Sequence, residues 1–141
     1  MSVVPSTIEE FNAIGEGRLP ALVGVEVTAV EHGRLAARLP IRPDLLAPNG
    51  YLHAASVIAL ADTCCGYGCV ASLPAGATGF TTIELKTNFL RTLTEGTLAC
   101  EARLVHGGST TQLWDATVSD EAAGTVLALF RCTQLILRPR S

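Results

Sequence analysis

A single carboxylate, Asp62, interrupts a run of 22 residues from Leu52 to Leu73 that is otherwise free of full charges at neutral pH. An ionised carboxylate among apolar side chains is very costly unless it has hydrogen bonds, a cation or an opening to solvent. No lysine or arginine stands within a helical turn of it. That setting suits a general base or a nucleophile whose pKa is tuned by a partly dry pocket. The structural alternative is a carboxylate that caps a neighbouring stretch of backbone.

A second chemical feature lies just upstream, in Asn49-Gly50-Tyr51-Leu52-His53-Ala54-Ala55. This turn feeds the start of the apolar run. The first amides of a helix lack intrahelical partners and carry the positive end of its dipole. Those of Ala54 and Ala55 can therefore polarise a carbonyl oxygen, as an oxyanion hole does. His53 either orients that turn or caps the helix.

The two features cannot meet within one helix. Eight residues separate Ala54 from Asp62, about 12 Å along the axis and roughly 80° around it. Two copies of the helix, antiparallel across a twofold axis, bring Asp62 of one beside Ala54 of the other. The spacing thus predicts a composite site at a dimer interface.

The elements that position these residues follow from pattern. Ser6-Thr7-Ile8-Glu9 reads as a capping box opening a short helix, which Gly15 and Gly17 end before Pro20. Val25–Val30 and Leu35–Leu39 alternate around Glu31-His32-Gly33, as a hairpin does. Arg42–Tyr51, with two prolines and Asn49-Gly50, reads as a loop. Leu52–Leu73 then forms a helix apolar on every side, closed by Pro74 and Gly76. A central Asp costs about 2.5–3.5 kcal/mol in a bilayer on insertion scales, so burial inside the protein is expected rather than a membrane span. The strands Phe80–Leu90, Thr97–Val105, Thr111–Ser119 and Thr125–Leu137 follow. On the first, Ile83, Leu85, Thr87 and Phe89 share one face, while Glu84, Lys86 and Asn88 share the other. Short gaps predict that these four strands are antiparallel neighbours. One helix wrapped by a strongly curved antiparallel sheet, an α+β fold, is the simplest packing of these parts.

Composition bounds the function. Of the 141 residues, 48% are apolar and 16% charged, with a net charge of −3. So little charge predicts self-association, and the lack of a basic block argues against nucleic acid as a partner. The N-terminus has no cationic start followed by an apolar run, so no secretory signal is expected. Five cysteines, an odd number with Cys64 and Cys65 adjacent, fit reduced thiols in a cytoplasmic protein.

The run Asn49-Gly50-Tyr51-Leu52-His53-Ala54-Ala55-Ser56, then Ala59-Leu60-Ala61-Asp62-Thr63, resembles the hotdog-fold acyl-CoA thioesterases of the phenylacetate-degradation type. That family shows a Gly-x-x-His-Gly-Gly turn with an acid nine positions after the histidine, and His53 to Asp62 keeps the spacing. The runs Thr81–Arg91 and Val105–Trp114 resemble the family's later strands, so the likeness covers about residues 22–137. It implies one hotdog domain over 1–141, with residues 1–21 as an N-terminal helix and lead-in. It also implies dimers that often pair into tetramers, with an acyl-CoA as substrate. Asp62 is then implied to activate water or attack the thioester carbonyl, with the partner's Ala54 amide on the oxyanion. Thr82 matches a hydroxyl placed near the attacking water. Arg91 and the turn His106, Gly107, Gly108 and Ser109 match regions that meet the coenzyme A nucleotide.

Departures from the pattern are informative. Ala54-Ala55 replace the Gly-Gly, Ala47 stands where relatives carry Gln or Asn, and Gly66 replaces a helper Ser or Thr. Asn49 is the residue able to rebuild the oxyanion hole. No metal is needed, no cofactor is expected, and the histidines lack metal-ligand spacing. Cys64, Cys65 and Cys69 read as core hydrophobes, with a Cys–His nucleophile the less favoured option. Trp114 is expected on the sheet or at a subunit contact, and Arg138 and Arg140 in a solvated tail. A short or aromatic acyl group is favoured on family grounds. The competing functions are a non-catalytic acyl-CoA-binding protein and an acyl-thioester hydratase or dehydratase.

Overall fold

The computed structural model describes residues 4–140; residues 1–3 and 141, the ends of the expected 1–141 span, lie outside the description. In chain order the elements are α1 (Ile8–Ile14), α2 (Leu19–Val23), β1 (Glu26–Glu31), β2 (Arg34–Pro40), α3 (Ala54–Ala71), β3 (Gly79–Phe89), β4 (Thr97–Gly107), β5 (Thr111–Asp120) and β6 (Val126–Leu137). The six strands form one antiparallel sheet in the order β1-β2-β4-β5-β6-β3. Its inner face wraps α3, so the hotdog architecture expected from the sequence is present.

Strand alternation builds the core. Along β5, Gln112, Trp114, Ala116 and Val118 are buried toward α3 while their neighbours face outward. The outer face carries much of the chain's charge as cross-strand pairs, such as Arg38 with Glu26 and Glu121, and Arg131 with Asp115. Such exposed pairs contribute little to stability but keep this face polar. Apolar α3 is long enough to cross a membrane, yet half of it is buried and the sheet covers its inner side. Small residues let it lie close to the sheet. An added Cβ at Gly68 would stand 2.7 Å from the Trp114 ring, and one at Gly66 would stand 2.9 Å from Phe80.

Four local expectations are corrected. The first helix is capped by Thr7 rather than Ser6: Thr7 Oγ1 accepts from Glu10 N at 3.1 Å, while Ser6 donates to the Glu10 carboxylate. The capping motif is therefore shifted by one residue. The lead-in also holds a second helix, α2, which Pro20 can start because the first helical amides need no partner. Strand β3 does not neighbour β4; it pairs only with β6 and forms an edge of the sheet. Strands β2 and β5 fill the two positions beside β4, so residues 90–96 must cross the end of the sheet. Finally, the register slips between Thr82 and Glu84. A bulge at Ile83 shifts the inward face to Phe80, Thr82, Leu85, Thr87 and Phe89.

Candidate active site

Residues 90–96 run past the beginning of α3, held by the Leu52 amide donating to the Leu93 carbonyl at 3.0 Å. That crossing forms one wall of a cleft of about 330 Å³. Asn49, Tyr51 and Ala54 line one side, with Phe89, Arg91 and Thr92 on the other. Two residues expected in different roles, Asn49 and Arg91, thus share one opening with the first residue of the helix.

The helix start has a definite donor arrangement. His53 is the N-cap, and its Nδ1 accepts from the Ala55 amide at 2.9 Å. This corrects the expectation of two available amides. Ala55 is engaged, and among the described residues nothing accepts from Ala54 N–H. The His53 side chain is a cap here, one of the two roles expected for it. Asn49 Oδ1 accepts from Tyr51 N at 3.1 Å, which leaves its side-chain NH2 free beside Ala54. Ala47 closes the same turn through its backbone, donating to the Tyr51 carbonyl and accepting from Gly50 N.

Contacts along α3 locate Asp62. The Cys65 thiol lies against that of Cys132, which pairs with Leu85. Ala54 and Val57 meet Phe89 in the cleft, so α3 and β3 run antiparallel. Asp62 lies three residues before Cys65, about 4.5 Å back along the axis. It shares the stripe of Gly66, one turn on, which packs on Phe80 of β3. The carboxylate therefore faces the edge strand. It is half-buried, and its Oδ1 is fully buried without a hydrogen-bond partner. Burial alone pushes its pKa above the ordinary carboxylate value, with no cation to oppose the shift.

Thr82 is on the inward face of β3, two residues after Phe80. Its hydroxyl donates to Gln134 Oε1 at 2.6 Å, so within one chain it is tied into the sheet rather than free for Asp62. Gln134 is wholly buried, and its Nε2 has no partner. The third buried and unpartnered polar side-chain atom among the described residues is Thr87 Oγ1. A buried polar group left unpaired costs about 1–3 kcal/mol. Gln134 and Thr87 were not singled out in the sequence, where both look like ordinary strand residues.

His106, Gly107, Gly108 and Ser109 are at the far end of the fold from Arg91. Their turn packs near the C-terminus of α3, where Gln112 donates to the Ser72 carbonyl and Arg138 donates to the Ser109 and Ala75 carbonyls. One chain does not bring these residues together with Arg91. Arg138 is correspondingly a clasp between two turns rather than a solvated tail. All five cysteines are free and buried, and burial drives the Cys69 thiol up to about 12. Among the described residues no cluster of three or more His, Cys, Asp or Glu is arranged to hold a metal.

A central helix in a curved six-stranded sheet, with an open helix start beside a cleft, defines a hotdog protein. Residues 49–127, which hold the cleft, Asp62 and β3 to β5, match the family model described as thioesterase superfamily. The chain is 31% identical over 117 residues to the proofreading thioesterase EntH of Klebsiella pneumoniae, covering 82% of this chain and 83% of that one. It is 28% identical over 122 residues to the 1,4-dihydroxy-2-naphthoyl-CoA hydrolase of Listeria monocytogenes, covering 86% and 98%. Among solved structures, a mutant of thioesterase PA1618 from Pseudomonas aeruginosa superposes with a TM-score of 0.87 at 26% identity, covering 96% of both chains. The chain belongs to the thioesterase superfamily, and its class of chemistry is thioester hydrolysis.

Proposed function

We propose that the chain hydrolyses a short-chain or aromatic acyl-CoA to the free acid and coenzyme A, at sites shared between two copies. Asp62 of one copy deprotonates water or attacks the thioester carbonyl. The Ala54 amide and the Asn49 NH2 of the other hold the developing oxyanion. The observation that carries the reading is the separation of two unsatisfied groups: a buried carboxylate on the β3 side of α3, and a free amide about 12 Å away at the helix start.

The open edge of β3 supports assembly. Ile83, Leu85, Phe89 and Leu90 on this edge are exposed apolar side chains, and an unpaired edge strand is a template for another chain. Antiparallel pairing of two such edges sets the α3 helices antiparallel and side by side. It also carries the partner's β4-β5 turn, with His106 to Ser109, to the end where Arg91 lies. A coenzyme A nucleotide then meets basic and glycine-rich surfaces from both copies. Further pairing of dimers makes a tetramer. An aromatic acyl group is favoured by the hydrolase names of relatives acting on a naphthoyl-CoA. Five reduced, buried thiols suit a cytoplasmic setting.

The test is release of free thiol from a panel of acyl-CoAs, read together with binding. Turnover of benzoyl- or short-chain acyl-CoA is expected. Tight binding without thiol release would instead mark an acyl-CoA-binding protein, and loss of conjugation from an enoyl-CoA would mark a hydratase.

A further inference from the structure

The inner face of the sheet carries two buried glutamines side by side, Gln112 on β5 and Gln134 on β6. Gln112 uses both ends of its amide: Nε2 donates to the Ser72 carbonyl at 2.8 Å, and Oε1 accepts from Trp114 Nε1 at 2.8 Å. Its role is structural. Gln134 is 0% exposed and uses one end only: Oε1 accepts from the Thr82 hydroxyl at 2.6 Å, while Nε2 has no partner. A buried amide left half-paired costs about 1–3 kcal/mol, so an apolar side chain would suit this position better if packing were all it did.

Thr82 links that amide to the candidate site. It pairs with Gln134 across β3 and β6, turns inward to reach the buried carbonyl, and is itself only half-buried. Gly66 packs on Phe80. Asp62 lies one turn before Gly66, about 6 Å back along α3. Thr82 lies two residues after Phe80, about 7 Å along β3. Because α3 and β3 run antiparallel, Asp62 and Thr82 stand at about the same level on facing elements. A hydroxyl has one proton to donate and two lone pairs with which to accept. Gln134 takes the Thr82 proton, so toward α3 Thr82 offers acceptors alone. Ionised Asp62 also only accepts. Two acceptors cannot bond each other, whereas a water with two O–H groups satisfies both.

We infer that Gln134 is a positioning residue: by holding the Thr82 proton it makes Thr82 an acceptor, so that the attacking water donates one O–H to Asp62 and the other to Thr82 and keeps a lone pair for the thioester carbonyl. The inference rests on the proposed role of Asp62 and narrows it to activation of water. As the water oxygen bonds to the carbonyl carbon, one of its protons passes to Asp62 and the other stays hydrogen-bonded to Thr82. The C–S bond then breaks, and the departing coenzyme A thiolate takes the proton back from Asp62. Acid and thiol leave, and Asp62 is ionised again.

Gln134→Met removes the acceptor and keeps an unbranched side chain of similar volume. It is expected to lower kcat about tenfold, with KM and Tm close to wild type, because Thr82 is then free to turn its proton toward the water. Thr82→Val is expected to lose about as much, and Thr82→Ser, which keeps the hydroxyl, to recover most of it. Thr82→Val combined with Gln134→Met is expected to be no slower than Thr82→Val alone, since Gln134 acts only through that hydroxyl. Gln134→Leu is the second apolar replacement if methionine does not fold. A folded Gln134→Met or Gln134→Leu enzyme with wild-type kcat overturns the inference. So do losses that multiply to about 100-fold in the double variant, which would mark a packing role. Asp62→Asn, assayed in parallel, keeps the two readings apart. An inactive Asp62→Asn with a normal Gln134→Met removes Gln134 alone, while an active Asp62→Asn removes the site and this inference with it.

Discussion

Replacing Ala54 with proline deletes one hydrogen-bond donor and leaves the backbone almost undisturbed. Ala54 is the first residue of α3, where proline is favoured because the amide has no intrahelical partner. The preceding residue, His53, has φ −68° and ψ 136°, the extended conformation that a following proline requires. Ala54 is exposed, and nothing in the described structure accepts from its N–H. The fold should therefore tolerate Ala54→Pro, with a gain of about 0.4–1 kcal/mol from a stiffer unfolded chain. Catalysis should not tolerate it. Loss of one oxyanion donor removes about 2.7–4 kcal/mol of transition-state stabilisation, a fall of about 10²–10³ in kcat. Thiol release at saturating acyl-CoA reads kcat, and thermal unfolding reads stability. Ala54→Ser, which keeps the amide and adds a heavy atom, is the control for crowding and should retain kcat within about tenfold. Wild-type kcat in a well-folded Ala54→Pro enzyme would refute the oxyanion role of this helix start.

The remaining predictions concern Asp62 and the packing of α3. Asp62→Asn should lower turnover at least about 100-fold, near the lower limit for loss of a general base. Because burial raises the Asp62 pKa, its contribution to stability is fully present below the unfolded value and is lost as pH rises through the folded one. Asp62→Asn should therefore unfold at higher temperature than wild type at pH 7, with the difference shrinking in acid, as calorimetry across pH would show. The acidic limb of kcat/KM in the wild-type enzyme should lie above the ordinary carboxylate value for the same reason. Gly68→Ala sets a helix gain of about 1 kcal/mol against overpacking of about 1–3 kcal/mol. Overpacking should win, because the buried Trp114 ring is pinned by its Nε1 donating to Gln112 at 2.8 Å, so a net loss of up to about 2 kcal/mol is expected in denaturant unfolding.

Much of the fold was legible because its signals are local and periodic. The length and apolarity of Leu52–Leu73, and the alternation along β3 to β6, specify the elements whatever their order. Strand order was not legible: nothing in residues 90–96 states that they cross the sheet end, and short gaps favour neighbours. The Ile83 bulge escaped for a similar reason, since Ile83 fits the alternation as an inward residue. At the candidate site, Asp62 stood out as a charge in an apolar run, and Asn49 and Ala54 through their place at the helix start. Thr87 and Gln134 did not, because a strand threonine or glutamine is ordinary until its partners can be counted. The engagement of Ala55 by His53 depends on the histidine ring's rotamer, which sequence does not encode.

Mixed dimers test most directly whether two chains build each site. Asp62→Asn and Ala54→Pro protomers are each inactive alone, and after 1:1 reassortment half of the dimers carry one lesion of each kind. If the acid and the amide come from different chains, each mixed dimer regains one intact site, so activity should return to about one quarter of wild type. If both come from one chain, every site keeps a lesion and the mixture stays as inactive as its components, which would contradict the shared site.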